Sequence, residues 1–313
     1  MKNRLRDTFH RSLLIFALLS FGLIFSACQP NQSTQPEDES LLVTVSIPPL
    51  AYFVERIGGD QVEVNTMVGP GEEAHTYEPK PDQMKALSDS PIFFSIGIEY
   101  EESWVPRFMD INPDLLVVDS TQGIEHIESL SEHSHHEEEE ELTDEHDADN
   151  LDPHVWLSPQ NGKIIAKNIF NALKTISPED EQTYTQNYNA LVAEIDLLDE
   201  QISQTLSETT YRTFMVFHPA WGYFADQYNL QQIAVQVGGQ DPSPSELVDL
   251  INIAKAENIH VIFIQPSFST TSVNALSKEI DAEIIAVDPL AENWLENLKI
   301  VADAFAAALT IQP

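Results

Sequence analysis

From residue 41 onward, short apolar runs alternate with stretches of helical periodicity. LLVTVSI (41–47) is rich in β-branched residues. Pro48-Pro49 punctuates it before LAYFVERIGG (50–59), whose apolar positions recur at helical spacing and stop at Gly-Gly. VEVNTMV (62–68), PIFFSIG (91–97) and LLVV (115–118) read as further strands. Helices are predicted over 79–89, where Asp82 is the candidate cap, and over 99–109. The second half repeats the logic, with FMVF (214–217), IAVQV (233–237), VIFI (261–264) and EIIAV (283–287) as strands. Helical stretches at 219–228, 244–257, 271–281 and 292–309 lie between or after them. Apolar strands separated by amphipathic helices predict parallel sheets with helices on their faces. The expected fold class is therefore α/β, with two parallel-sheet lobes at 41–175 and 210–313 and no close sequence repeat between them.

The connector, 176–209, has a different pattern. From Ser177 to Thr209 there is no Gly, and the one Pro, Pro178, sits at a helix start. Ser177 is the expected cap, with Asp180 and Glu181 in the first turn. Tyr184, Tyr188, Leu191, Ile195, Leu198, Ile202 and Leu206 fall three or four apart, one apolar stripe on a helix of about 30 residues, roughly 45 Å long. Such a stripe serves a coiled-coil dimer or an intramolecular strut. The strut, packed on both lobes and limiting hinge bending, is preferred.

The chain start is of another kind. Lys2, Arg4, Arg6 and Arg11 precede the apolar run Leu13–Phe25, then Ser26, Ala27 and Cys28. The run is too short to span a bilayer, and residues 1–27 read as a secretory signal peptide. Cys28 is the one cysteine, so no intramolecular disulfide can form. Its position resembles a bacterial lipobox, with Phe25 where an aliphatic residue is usual. Residues 28–40, polar with Pro and Gln, read as a lipid-anchored flexible tether. The chain is expected to be extracytoplasmic.

Charge narrows the partners. The 313 residues carry 15 Lys and Arg against 51 Asp and Glu, a formal −36. Removing residues 1–27 takes away four basic residues and one acidic residue, giving 11 − 50 = −39. A field of this sign repels nucleic acid and concentrates cations. Residues 125–149 concentrate the same chemistry, with 12 acids, no Lys or Arg, and five of the chain's 10 histidines: His126, His133, His135, His136 and His146. This composition cannot form a packed core and reads as a solvated loop. Imidazole interleaved with carboxylate is a ligand set for borderline divalent cations, whereas a merely solubilising loop has no need of imidazole.

Outside the loop, candidate ligands fall at junctions of elements, where α/β proteins place binding groups. His75 follows the turn Gly69-Pro70-Gly71; His154 precedes Ser158-Pro159; His218 ends a strand before Pro219; Asp288 ends the last strand in the same way. Each alone is as readily a surface or capping residue, but there are two per lobe. His260 begins a strand, at the opposite sheet edge, and reads as structural. Three imidazoles and a carboxylate form a tetrahedral set suited to zinc, fully coordinated and thus fitted to carriage rather than hydrolysis. Tyr77, Trp156 and Trp221, close by in sequence, read as core packing.

The segments AHTYEPKPDQMKALSDS (74–90), DPHVWLSPQNGKIIAKNI (152–169), FHPAWGYFADQYNL (217–230), DPSPSELVDLINIAKAENIHVIFIQPSFS (241–269) and VDPLAENWLENL (287–298) resemble the zinc/manganese-type, ZnuA-like substrate-binding lipoproteins of bacterial ABC importers. The resemblance implies two α/β lobes joined by one rigid helix. It assigns His75, His154 and His218 as ligands, with Asp288 at a position that supplies the fourth ligand in some members. Ala74 stands where some zinc-specific members carry Glu. His218, where manganese carriers commonly have Glu, favours zinc, and relatives carry a His- and acid-rich loop where 125–149 lies. The implied function is zinc capture for an ABC permease and its ATPase, by a monomer without catalysis. The rivals are Mn(II) or Fe(II) carriage on the same fold, a zinc hydrolase with an open fourth position, and a surface adhesin.

Overall fold

The N-terminal sheet is built from four short strands, β1 (Leu41–Val45), β2 (Val62–Thr66), β3 (Ile92–Ser95) and β4 (Leu116–Asp119), all parallel in the order β2-β1-β3-β4. The computed structural model describes residues 40–129, 151–236, 240–266 and 271–310. The leader, the tether with Cys28, and His133, His135, His136 and His146 lie outside the described residues. Helices α1 (Pro48–Gly58), α2 (Pro81–Asp89) and α3 (Glu99–Ile111) follow β1, β2 and β3. The C-terminal sheet, β5 (Thr213–Val216), β6 (Gln231–Ala234), β7 (Val261–Ile264) and β8 (Glu283–Ala286), repeats the arrangement as β6-β5-β7-β8, again all parallel. The lobes therefore share a topology that their sequences do not advertise. In each, the chain runs from the first strand to one side and then crosses to the other. That leaves a switch point at the strand ends, where open α/β sheets hold ligands.

Helices α4 (Pro159–Ile176) and α5 (Glu181–Ser207) link the lobes. The 27 residues of α5 span about 40 Å. Its stripe is buried inside the chain: Tyr184, Leu191, Ile195, Leu198, Ile202 and Leu206 are all within the core, and Tyr188 stacks on Phe170 of α4 at 4.7 Å. A coiled coil has no use of that face. Two caps differ from expectation. Pro178–Asp180 form a separate 3₁₀ turn, so the Ser177 hydroxyl bonds Asp180 Oδ2 (2.9 Å) rather than capping α5. Asp82 lies in the first turn of α2, whose cap is Lys80, with the Gln83 side chain accepting from the Lys80 N–H.

Helices α6 (Gly222–Gln227), α7 (Pro244–Ala256), α8 (Thr271–Ile280) and α9 (Trp294–Thr310) complete the described elements. β1, β2, β3 and β5 end one or two residues before their runs do, because the last apolar residues (Met67, Val68, Ile96, Phe217) turn into buried loops at the sheet edge. The main core runs through both lobes. Phe305 of α9 packs on Phe214, Phe224, Trp221 and Phe263, with centroids 4.5–5.6 Å away. Trp294, at the other end of α9, reaches the N-terminal lobe, 4.8 Å from Phe53. Gly162 makes room for it: a Cβ there would sit 2.6 Å from the indole. Trp294 Nε1 donates to Trp156 O (2.6 Å), and Trp156 Nε1 donates to Pro289 O (2.8 Å). The C-terminal helix is thus a second brace beside α5.

Candidate metal centre

Each histidine is delivered by a stiff local structure. The loop to His75 turns at Gly71 (φ +73°), a left-handed conformation natural to glycine. Glu72 holds the turn, accepting from the Gly69 N–H (2.8 Å) and from Lys80 Nζ (2.7 Å); Lys80 keeps its carboxyl below the usual range. Gln83 Nε2 then ties the carbonyls of Thr66 and Met67 at 2.8 and 2.6 Å. His154 precedes the 3₁₀ turn Val155–Leu157, whose three buried side chains fix it to the core. His218 lies two residues beyond β5, with the intervening Phe217 N donating to Phe263 O (2.8 Å).

The three rings converge. His218 Nε2 lies 3.3 Å from His75 Nε2 and 3.2 Å from His154 Nε2, and the three ligand nitrogens are all within 4.8 Å of one another. Nitrogens bound about 2.05 Å from one tetrahedral ion sit about 3.3 Å apart. Each opposite nitrogen has an acceptor: His75 Nδ1 with Glu99 Oε2 (2.6 Å), His154 Nδ1 with Asp152 Oδ1 (2.8 Å), His218 Nδ1 with Gln236 Oε1 (2.9 Å). The two carboxylates and the Gln236 amide oxygen, each accepting, place the proton on Nδ1 and turn every Nε2 lone pair inward. Facing lone pairs repel, and one shared cation reconciles them. Two outer carboxylates behind three neutral imidazoles also balance a divalent charge.

The environment separates the rings electrostatically. Burial, with the neighbouring His154 and His75, pushes the His218 pKa down to about 3, so this ring is neutral at pH 7. Burial also pulls on His75, but the hydrogen bond and charge of Glu99, with Glu73 and Asp152, outweigh it and raise this ring. The cavity between the rings is about 10 Å³, room for one ion or water, and is lined beside the histidines by Glu73, Ala74, Ile98, Trp156, Gln265, Pro289 and Leu290.

Asp288 is not brought into this cluster. It is half-buried, and its Oδ1 accepts from the Leu290 N–H (2.9 Å) in a local turn while Asn297 holds its carbonyl. Ala74 and the preceding Glu73 both line the cavity, and Glu73 Oε1 also accepts from the His75 N–H (3.3 Å). His126 is exposed at the root of the acidic segment, 3.3 Å from Tyr223 Oη. His260 bonds Asn258 Oδ1 (3.2 Å), away from the centre. Glu99, Asp152 and Gln236 escaped sequence reasoning. Asp152, two residues before His154, and Glu99, opening a helix after a strand, were the available signals.

Two α/β lobes, braced by long helices and enclosing three convergent imidazoles, define a metal-binding protein of the rigid two-lobed class. Residues 43–308 match the family described as zinc-uptake complex component A, periplasmic, and the chain belongs to that family. A putative metal-binding protein of Chlamydia muridarum is 30% identical over 295 residues, covering 94% of this chain and 99% of the relative. The zinc-binding lipoprotein AdcA of Streptococcus pneumoniae is 27% identical over 301 residues, but this chain, covered to 92%, spans only 56% of its length. Among solved structures, a ZnuA 138–173 deletion mutant with zinc bound superposes with a TM-score of 0.79 at 39% identity, over 88% of this chain and 100% of that one.

Proposed function

We propose that the chain captures Zn(II) through His75, His154 and His218 and delivers it to an ABC permease driven by its ATPase. The convergence of three Nε2 atoms, each with its Nδ1 held by an acceptor, carries this reading. An all-imidazole inner shell favours zinc over Mn(II), which prefers oxygen ligands. The fourth position falls to water or, after a rearrangement of its turn, to Asp288. Residues 1–27 act as leader, Cys28 as lipidation site and 28–40 as tether, holding a monomer outside the cytoplasm. The histidines of 125–149 serve as a weak collecting site that feeds the cleft.

One observation favours a hydrolase instead: three histidines with a free fourth position is also the catalytic zinc pattern. The site's own chemistry opposes it. Glu99 and Asp152 are both committed to imidazoles, so neither is free to activate a water. The test is zinc titration of the processed protein beside a loop-deleted form and a His75→Ala/His154→Ala/His218→Ala variant. One tight site should survive loop deletion, vanish in the triple variant and resist competition by manganese. Tight binding that follows the loop, or zinc-dependent ester or peptide hydrolysis, would defeat the reading.

A further inference from the structure

Tyr223 is 4% exposed, and its hydroxyl is a junction. It donates to Asp152 O (2.9 Å), accepts from the Ile127 N–H (3.3 Å) and lies 3.3 Å from His126 Nδ1. Ile127 O in turn accepts from the Asp152 N–H (2.9 Å), and Glu128 bridges Leu151 in antiparallel fashion. The two chains at the root of the acidic insertion are therefore clasped together beside Asp152. The adjacent Gly222 has no side chain for a reason visible here: a Cβ would overlap Asp152 Oδ2 and crowd Ile127 Cδ1 at 3.3 Å. Asp152, 3% exposed, spends its Oδ1 on the N–H and the Nδ1 of His154 (2.9 and 2.8 Å).

We propose that Gly222 and Tyr223 are positioning residues for metal capture: the segment that delivers His218 also locks Asp152, and through it the ring of His154, to the root of the insertion. This rests on the three-histidine reading above. Two ligands are then registered to each other by one short stretch, 218–223, rather than by independent loops. A ligand ring held by a buried carboxylate is only as fixed as that carboxylate.

The test uses the processed full chain and zinc itself. Affinity is read by chelator competition, dissociation by stopped flow, and the His154 ring by ¹⁵N imidazole NMR of the zinc-loaded protein. Tyr223→Phe should lose about 3- to 10-fold in affinity, mainly through faster dissociation, less than the tenfold to hundredfold typical when a direct outer partner is removed. Gly222→Ala, which displaces Asp152 itself, should lose about 10- to 100-fold. It also carries the test should Tyr223→Phe fail to fold. Tyr228→Phe removes a hydroxyl further along the chain, one bonded to Asp199 of α5 (2.7 Å). It should bind zinc as wild type does and leave the His154 signals in place. Wild-type affinity, dissociation and His154 signals in both Tyr223→Phe and Gly222→Ala would overturn the inference, even with a lowered melting temperature. His154→Ala retaining full affinity would instead remove the three-histidine reading on which it stands.

Discussion

Each histidine of the centre is a pair of nitrogens with separate duties, one turned toward the other rings and, in the proposed role, the metal, and one facing an acceptor. Truncating any of the three should cost about a hundredfold or more in zinc affinity, a ligand's share of a binding free energy of about 10–16 kcal/mol. Asp288→Ala should cost less than about tenfold, because its carboxylate is engaged with Leu290. Chelator competition ranks the four variants, and a loss at Asp288 as large as at the histidines would show that it enters the inner shell with zinc. Proton competition belongs to His75. His218 is already neutral at pH 7. His75, raised by Glu99 over the opposing effect of burial, must release a proton, so affinity should fall as pH drops through its raised value. Glu99→Gln should lower the alkaline plateau about tenfold by loosening the ring, yet move the acid midpoint to lower pH. Titrations from pH 5.5 to 8.5 separate the two effects; a midpoint that stays put would remove Glu99 as the cause. The three histidines were legible because strand ends and helix starts are visible in apolar patterning. Asp288 has the same sequence setting, and only its neighbours Leu290 and Asn297 divert it. Glu99 and Gln236 meet their histidines across 24 and 18 residues, a pairing no local pattern encodes.

At the scale of elements, apolar period located every strand and the long α5, whereas the ends were set by interactions the pattern omits. Ser177 lost its capping role to a 3₁₀ turn, and apolar residues beyond the strands went to line buried loops. The second brace was less visible still. Helix α9 was expected from its periodicity, but its reach into the first lobe depends on a contact between Trp294 and Gly162, 132 positions apart. Trp294→Ala should destabilise the protein by about 3–5 kcal/mol through the cavity it leaves. The site should also loosen, since the indole bonds Trp156 O beside the centre. Gly162→Ala should destabilise too, by forcing the indole away, without removing any apolar surface. Denaturant unfolding of the apo protein measures both. A near-neutral Gly162→Ala would mean that α9 shifts freely and is no brace.

At the scale of the molecule, a shared core and a uniform charge act together. Because Phe305 anchors α9 among the aromatics of the C-terminal lobe while Trp294 carries the same helix to Phe53 of the N-terminal lobe, the lobes should not swing apart to admit an ion. Zinc at a hundredfold excess over its dissociation constant should then stabilise the protein by about 2.7 kcal/mol, with little change in radius of gyration by X-ray scattering. Entry is governed by the field. Residues 28–313 carry a formal 11 − 50 = −39, and a dication approaching them is drawn from a distance set by the Debye length, about 30 Å at 0.01 M salt and 8 Å at 0.15 M. In the proposed site zinc would be held by three imidazoles that converge between the lobes, where bulk ions screen little. Raising salt should therefore slow association steeply while leaving dissociation almost unchanged, so that the whole salt dependence of affinity lies in the on-rate. Stopped-flow binding at low and high salt, with an inert counter-anion, decides it. A salt-sensitive dissociation rate would instead place the limiting step at a site that bulk ions screen, with the cleft filled only afterwards.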